Sequence, residues 1–217
     1  MTTGEEPADV NAGAIEPGIE VEFPGLILRW CALRARTGAS PAGLRARLRE
    51  LSDRARGGRV VAMRTQPVAH AFRAFFRHTG LDPDVTRVPS EEVAVARLLQ
   101  GGYRSAGRLH DALLIAVVET GVPVWALDAE VTEPATLMLR TSRAGEVFGA
   151  HATPLAAGRL VLADARRVHG LLFAPPVAPS AAGRRTRELV LVSVGVPGVP
   201  EIFVQEALWL CAETLQA

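Results

Sequence analysis

The sequence predicts an α+β fold: a mixed, mostly antiparallel sheet packed with helices. Two observations predict it. Helical periodicity dominates the first half of the chain, and short apolar runs bounded by Gly, Pro and Asp dominate the second. The regular strand–helix alternation of a doubly wound parallel sheet is missing.

Residues 1–22 carry Gly, Pro, Ala and acids without periodicity, and a disordered tail is expected there. A single domain is expected over 23–217, with an N-terminal helical extension over 23–88 and a core over 89–217. The apolar run from Phe23 to Cys31 reads as the first strand. Ser40-Pro41 reads as a helix start, because Ser caps and Pro is tolerated at the first helical position. Leu44, Leu48 and Leu51 then share one face, and Gly57-Gly58 is expected to end the helix. A second helix is expected over 67–79, with Phe72, Phe75 and Phe76 on one side and Gly80 past its end. Ser90 is expected to cap a third, with acids in its first turn and Gly101-Gly102 behind it.

The run Asp111-Ala-Leu-Leu-Ile-Ala-Val-Val118 has no period of two and reads as a buried helix. Pro123 excludes a helix interior, so 122–128 is extended. Strands are expected at 135–140, 159–164, 170–173 and 188–194. An amphipathic helix over 202–215 closes the chain, with Ala207, Leu208, Cys211 and Leu215 on one face.

Composition narrows the chemistry. The chain has 217 residues, a formal net charge of +1 and 48% apolar residues; its mean hydropathy is +0.18. No apolar run approaches the roughly 18–20 residues that span a bilayer. Met1-Thr-Thr-Gly-Glu-Glu lacks the basic and apolar blocks of a secretion signal, so a cytoplasmic protein without a membrane partner is expected. All 24 basic residues are arginine, which excludes a P-loop lysine or a Schiff-base lysine. Cys31 and Cys211 are far apart and belong to no Cys-x-x-Cys pair, and His70, His78, His110, His151 and His169 lack metal-ligand spacing. Neither metal nor cofactor is expected.

One stretch carries a more specific signal. Arg104-Ser105 and Asp111 precede Glu119-Thr-Gly-Val-Pro-Val-Trp-Ala-Leu-Asp128; Arg140, Gly145-Glu146 and Leu160-Val-Leu-Ala-Asp164 follow. This order resembles the editing (B3/B4) domain of the bacterial phenylalanyl-tRNA synthetase β subunit. The upstream Ala71–Pro83 segment and Val88-Pro-Ser-Glu91 resemble free-standing members of that family. The resemblance covers about residues 60–217. It implies hydrolysis of an amino acid from a misacylated tRNA, acting in trans, with tRNA and not DNA as the partner. The family's threonine and asparagine align with Leu113 and Leu114, its histidine with Trp125, and its hydroxyl-reading glutamate, loosely, with Val192.

Four polar positions have thus become apolar. One reading keeps hydrolysis and shifts the substrate to an apolar or aromatic aminoacyl group. Another leaves a catalytically silent module that binds tRNA or an amino-acid-like molecule. A third substitutes a different ester or amide. The residues carried over as a substrate-binding set are Arg104, Ser105, Asp111, Glu119, Trp125, Arg140 and Gly170, with Glu119 as an interior anchor and Trp125 as a pocket wall. Acids flanked by apolar residues, Asp111, Glu119, Asp128 and Asp164, mark either a site or buried ion pairs, Arg104 and Arg140 being the cations considered for them. His110 and His169 are candidate bases, and Arg184-Arg185-Thr-Arg187 is either a phosphate contact or a solvated loop.

Overall fold

The structure, a computed structural model, describes residues 9–55, 65–149 and 153–217. The expected helix stop at Gly57-Gly58 and His151 lie outside them. The elements, in chain order, are β1 (Asn11–Ala12), β2 (Ala14–Ile15), α1 (Pro17–Glu22), β3 (Ile27–Arg34), α2 (Ala42–Arg54), α3 (Pro67–His78), α4 (Pro89–Gln100), α5 (Arg108–Thr120), β4 (Val124–Asp128), β5 (Met138–Thr141), β6 (Val147–Phe148), β7 (Thr153–Pro154), β8 (Leu160–Ala163), β9 (Val168–Leu171), β10 (Glu188–Gly195) and α6 (Glu201–Gln216). A 3₁₀ turn at Pro134–Thr136 precedes β5. The fold is α+β, as expected from the sequence.

Two sheets form. The first is antiparallel, in the order β1-β3-β10-β4; the second runs β2-β5-β8-β9-β6-β7, with parallel pairs at β2–β5 and β6–β9. β10 is the spine of the first sheet, paired along its whole length to β3. Its apolar run is buried on both sides, which explains why it reads as continuous apolar sequence. Cys31 lies opposite Leu191, so both face one side of that sheet, and Val192 lies opposite Trp125 on the other. α6 packs on β3 and β10, and α5 packs on α6 and β4. The main core joins residues of both sheets, including Leu139 and Leu162, to the aromatic face of α3.

The segment expected as a tail is built into this fold from residue 11 onward. Asn11–Ala12 pair with β3, Ala14–Ile15 pair with β5, and α1 buries Ile19. Gly13 is the crossing point between the sheets. A Cβ there would come within 2.4 Å of a Leu28 methyl carbon, so only glycine lets the strand change sheets at this place.

The helix starts also differ from expectation. Neither Ser40 nor Ser90 caps its helix. Ser40 donates instead to Asp111, and the Ser90 hydroxyl is buried without a hydrogen-bond partner. A tertiary contact has drawn Ser40 away from the local role that sequence spacing assigns to it, whereas Ser90 lies inside the first turn of α4, which starts at Pro89. The stop expected at Gly101 forms, in a left-handed conformation at φ 72° that closes α4; Gly121, at φ 77°, closes α5 in the same way.

Candidate functional site

An apolar cleft of about 200 Å3 opens where α5 meets the edge strand β4. Leu113, Leu114 and Val117 of α5 form one wall, Trp125 and Phe173 another, and Glu92 and His110 bring polar atoms to the lining. The side-chain positions follow from local rules. Leu113, Leu114 and Val117 recur at helical spacing, so α5 presents them together. Trp125 sits on β4, at the edge of the first sheet, just ahead of the isolated bridge from Leu127 to Ala181 on the strand's outer side. The cleft is smaller than the roughly 300–1,000 Å3 of pockets for drug-sized ligands, a size suited to one side chain and not to a nucleoside.

Phe173 forms the inner wall. It packs on Trp125 at 5.9 Å between ring centroids, and on Phe72, Phe75 and Phe76 at 5.5, 5.7 and 5.4 Å. Its φ of 63° places a bulky residue in the left-handed region, a conformation that costs about 1–3 kcal/mol unless its surroundings enforce it. Trp125 and Phe173 also wall a second, narrower void beside Gly170, Leu162 and Val194.

At the cleft mouth stands His110, 57% exposed. Its Nδ1 lies 3.3 Å from Oδ1 of the buried Asp111. That carboxylate is tightly held: the hydroxyls of Ser40 and Ser105 each donate to it at 2.5 Å, and the Ala106 amide at 2.9 Å. Burial alone would raise the Asp111 carboxyl. The donors Ser105, Ser40, Ala106 and His110 outweigh burial and hold it below the ordinary aspartate range. An ionised Asp111 favours the tautomer with the proton on Nδ1, leaving Nε2 of His110 as an acceptor.

A second cluster has the residue types of a nucleophilic triad. His169 Nδ1 is 2.8 Å from the Ser180 hydroxyl, and its Nε2 lies 3.0 Å from Asp164 Oδ2. The Nε2 contact is close but misaligned for a hydrogen bond, so the attraction there is mainly electrostatic. All three residues are buried. Burial lowers the His169 pKa against the pull of Asp164. Asp164 also accepts from the amides of Glu133, Arg166 and Arg167. This cluster ties the β8–β9 turn to the 175–181 loop and offers no surface to a substrate.

The residues carried over from the resemblance fall into separate places. Trp125 lines the cleft, Gly170 lines the neighbouring void, and Ser105 with Asp111 supports the cleft mouth. Arg104 is exposed and bonds the Gln100 carbonyl. Glu119 is not an interior anchor: it is exposed and pairs with Arg47 of α2 at 2.9 Å. Arg140 pairs with Glu146 at 2.6 Å in the second sheet, and not with Asp111, Asp128 or Asp164. Asp128 accepts from the Thr186 hydroxyl and the Glu130 amide. Val192 is buried directly across from Trp125. Sequence reasoning missed Phe173, whose backbone conformation leaves no trace in residue type.

It also missed a groove of about 980 Å3 that gathers Arg34, Arg36, Arg108, Arg184, Arg185 and Arg187. They come from three stretches of chain: Arg34 and Arg36, Arg108, and Arg184, Arg185 and Arg187.

Neither a scan against protein-family models nor a search of curated proteins finds a match to this chain.

Proposed function

We propose that the chain is an editing-type ester hydrolase of the B3/B4 class that acts in trans on a misacylated tRNA. The apolar cleft takes an apolar or aromatic aminoacyl side chain. One observation carries the reading: Leu113, Leu114 and Trp125, three of the four positions at which the resembled family carries polar groups, line a single cleft with a His–Asp pair at its mouth.

The chemistry asked of the site is modest. His110 Nε2 takes a proton from water as the water oxygen adds to the ester carbonyl carbon. The bond from that carbon to the ribose oxygen then breaks, and the ribose oxygen takes up the proton. Amino acid and a free tRNA hydroxyl result. Asp111 keeps the imidazole oriented. No cofactor is required for this route.

Deacylation of a panel of aminoacyl-tRNAs tests it. We expect release from at least one apolar or aromatic aminoacyl-tRNA, a loss of about 10²–10⁴ in kcat for His110→Ala, and a raised KM for Trp125→Ala. Release absent throughout the panel overturns the hydrolytic reading, and release unchanged in His110→Ala removes His110 as its base. The apolar lining favours a second reading, binding without turnover. Calorimetry showing amino-acid binding that Trp125→Ala removes, with no release, selects it.

A further inference from the structure

We infer that the arginine-lined groove is a sequence-independent seat for the phosphodiester backbone of a nucleic acid strand. The inference deepens the reading above by assigning where the tRNA rests, but the groove and its test stand apart from the chemistry of the cleft.

The groove is built by backbone, not by a chance meeting of side chains. Ala35 N–H donates to the Arg187 carbonyl at 2.9 Å, the Thr37 hydroxyl to the Thr186 carbonyl at 2.9 Å, and Arg108 N–H to the Gly38 carbonyl at 2.8 Å. These bonds join the chain after β3, the loop before β10 and the first turn of α5 into one floor. A Cβ at Gly107 would meet the Gly38 carbonyl at 3.2 Å, so the close approach at that junction depends on glycine.

Two of the six arginines have internal work. Arg34 pairs with Glu188, and Arg108 reaches the Leu215 carbonyl at the C-terminal turn of α6. One cation there satisfies the negative end of the helix dipole. Arg36, Arg184, Arg185 and Arg187 remain, and among the described residues none of them makes an ion pair. All four are exposed. Four unneutralised guanidinium groups around one concavity repel each other, and an anionic partner removes that repulsion. The planar fork of arginine matches phosphate oxygens in pairs.

The lining also indicates what the groove reads. It holds Arg, Thr, Gly, Ala, Leu and Gln but no aromatic residue. Aromatic platforms are the usual seats for stacked bases; without them, exposed guanidinium groups serve chiefly to hold phosphate oxygens. Position links the groove to the cleft. Arg108 and His110 both lie in the first turn of α5, one on the groove and one at the cleft mouth. The two sites therefore lie against different faces of the first turn of α5.

Fluorescence anisotropy with deacylated tRNA and with fluorescein-labelled 12-nucleotide RNAs, one A-rich and one U-rich, tests the inference. We expect the two oligonucleotides to bind alike. Log affinity should fall with log salt at a slope of about −3, four contacts at roughly 0.7 each, or about 60-fold between 50 and 200 mM salt. Arg184→Ala/Arg185→Ala should bring the slope to about −1.4. Arg87→Glu/Arg159→Glu, a pair of exposed arginines outside the groove, should leave it near −3. Thermal melting confirms that each variant is folded. Absence of RNA binding at 50 mM salt, a slope unmoved in the groove variant, or equal weakening in both variants overturns the inference. So does binding to vesicles rich in phosphatidylserine without binding to RNA. Because the probes carry no aminoacyl group, the groove can succeed where the deacylation assay fails, and the reverse.

Discussion

Phe173 is the residue whose conformation and contacts disagree most with its type. An isolated phenylalanine avoids φ 63° because its Cβ crowds the backbone. Four aromatic rings around it supply the compensation, at about 0.5–1.5 kcal/mol per well-placed pair. Removing the ring while keeping the Cβ loses the contacts and retains the strain; removing both loses the contacts and relieves the strain. Phe173→Ala should therefore be the less stable variant, below Phe173→Gly by about 1 kcal/mol, or roughly 2–4 °C in Tm for a domain of this size. Elsewhere in a fold the order is the reverse, since glycine has the more flexible unfolded chain. Differential scanning calorimetry of the two variants decides it, and equal melting points would mean that the backbone is not strained there.

At the level of elements, the junction of α3 and α4 rests on a buried ion-pair cluster. Arg73 of α3 is 7% exposed and donates to both carboxylate oxygens of Glu91, at 3.1 and 3.0 Å, and to Asp84 at 2.8 Å. Hydrogen bonding to Asp84 raises its pKa against burial. Glu91 is itself 4% exposed, so deleting the cation removes two charge-assisted hydrogen bonds from a buried carboxylate. Arg73→Met should cost about 3 kcal/mol, read as a lower urea midpoint at unchanged slope. Arg47→Met, which breaks the half-exposed pair to Glu119, should cost under about 1 kcal/mol. A comparable loss in both variants would refute the distinction. The same elements show what local sequence can encode. Helix bodies were legible from the spacing of Leu44, Leu48 and Leu51 and of Phe72, Phe75 and Phe76, and helix stops from Gly80 and Gly101, because both follow from intrachain geometry. Caps were not legible. Whether Ser40 bonds its own helix or Asp111, distant in sequence, depends on contacts that exist only after folding.

At the scale of the whole molecule, long-range pairing set the limit on what sequence disclosed. The cleft was legible in part: Leu113, Leu114 and Trp125, the apolar departures from the resembled family's polar pattern, line it together. The groove was not, because its six arginines come from three separate stretches of chain. Residues 11–15 read as a tail because two-residue strands have no period; only pairing with β3 and β5 makes them structure. The buried titratable groups are distributed in the same way, and together they set the acid response. His169 has its pKa lowered, chiefly by burial, from the ordinary 6.5. The unfolded chain therefore takes a proton near pH 6.5 that the folded protein refuses, and this contribution to stability is lost as pH falls from 6.5 toward the folded value. Asp111 and Asp164 are held below the ordinary 3.8, because hydrogen bonds outweigh burial. Their contribution is complete above pH 3.8 and is lost as pH falls through the depressed folded values. Unfolding free energy should thus decline in two stages with acidification, the upper below 6.5 and the lower below 3.8. Urea titrations at half-unit pH steps should resolve both. His169→Asn is expected to reduce stability at neutral pH yet flatten the upper stage, since it removes the group that titrates. An upper slope that persists in His169→Asn would assign the first loss to another group and break the link between the sealed Asp164–His169–Ser180 cluster and the acid lability of the fold.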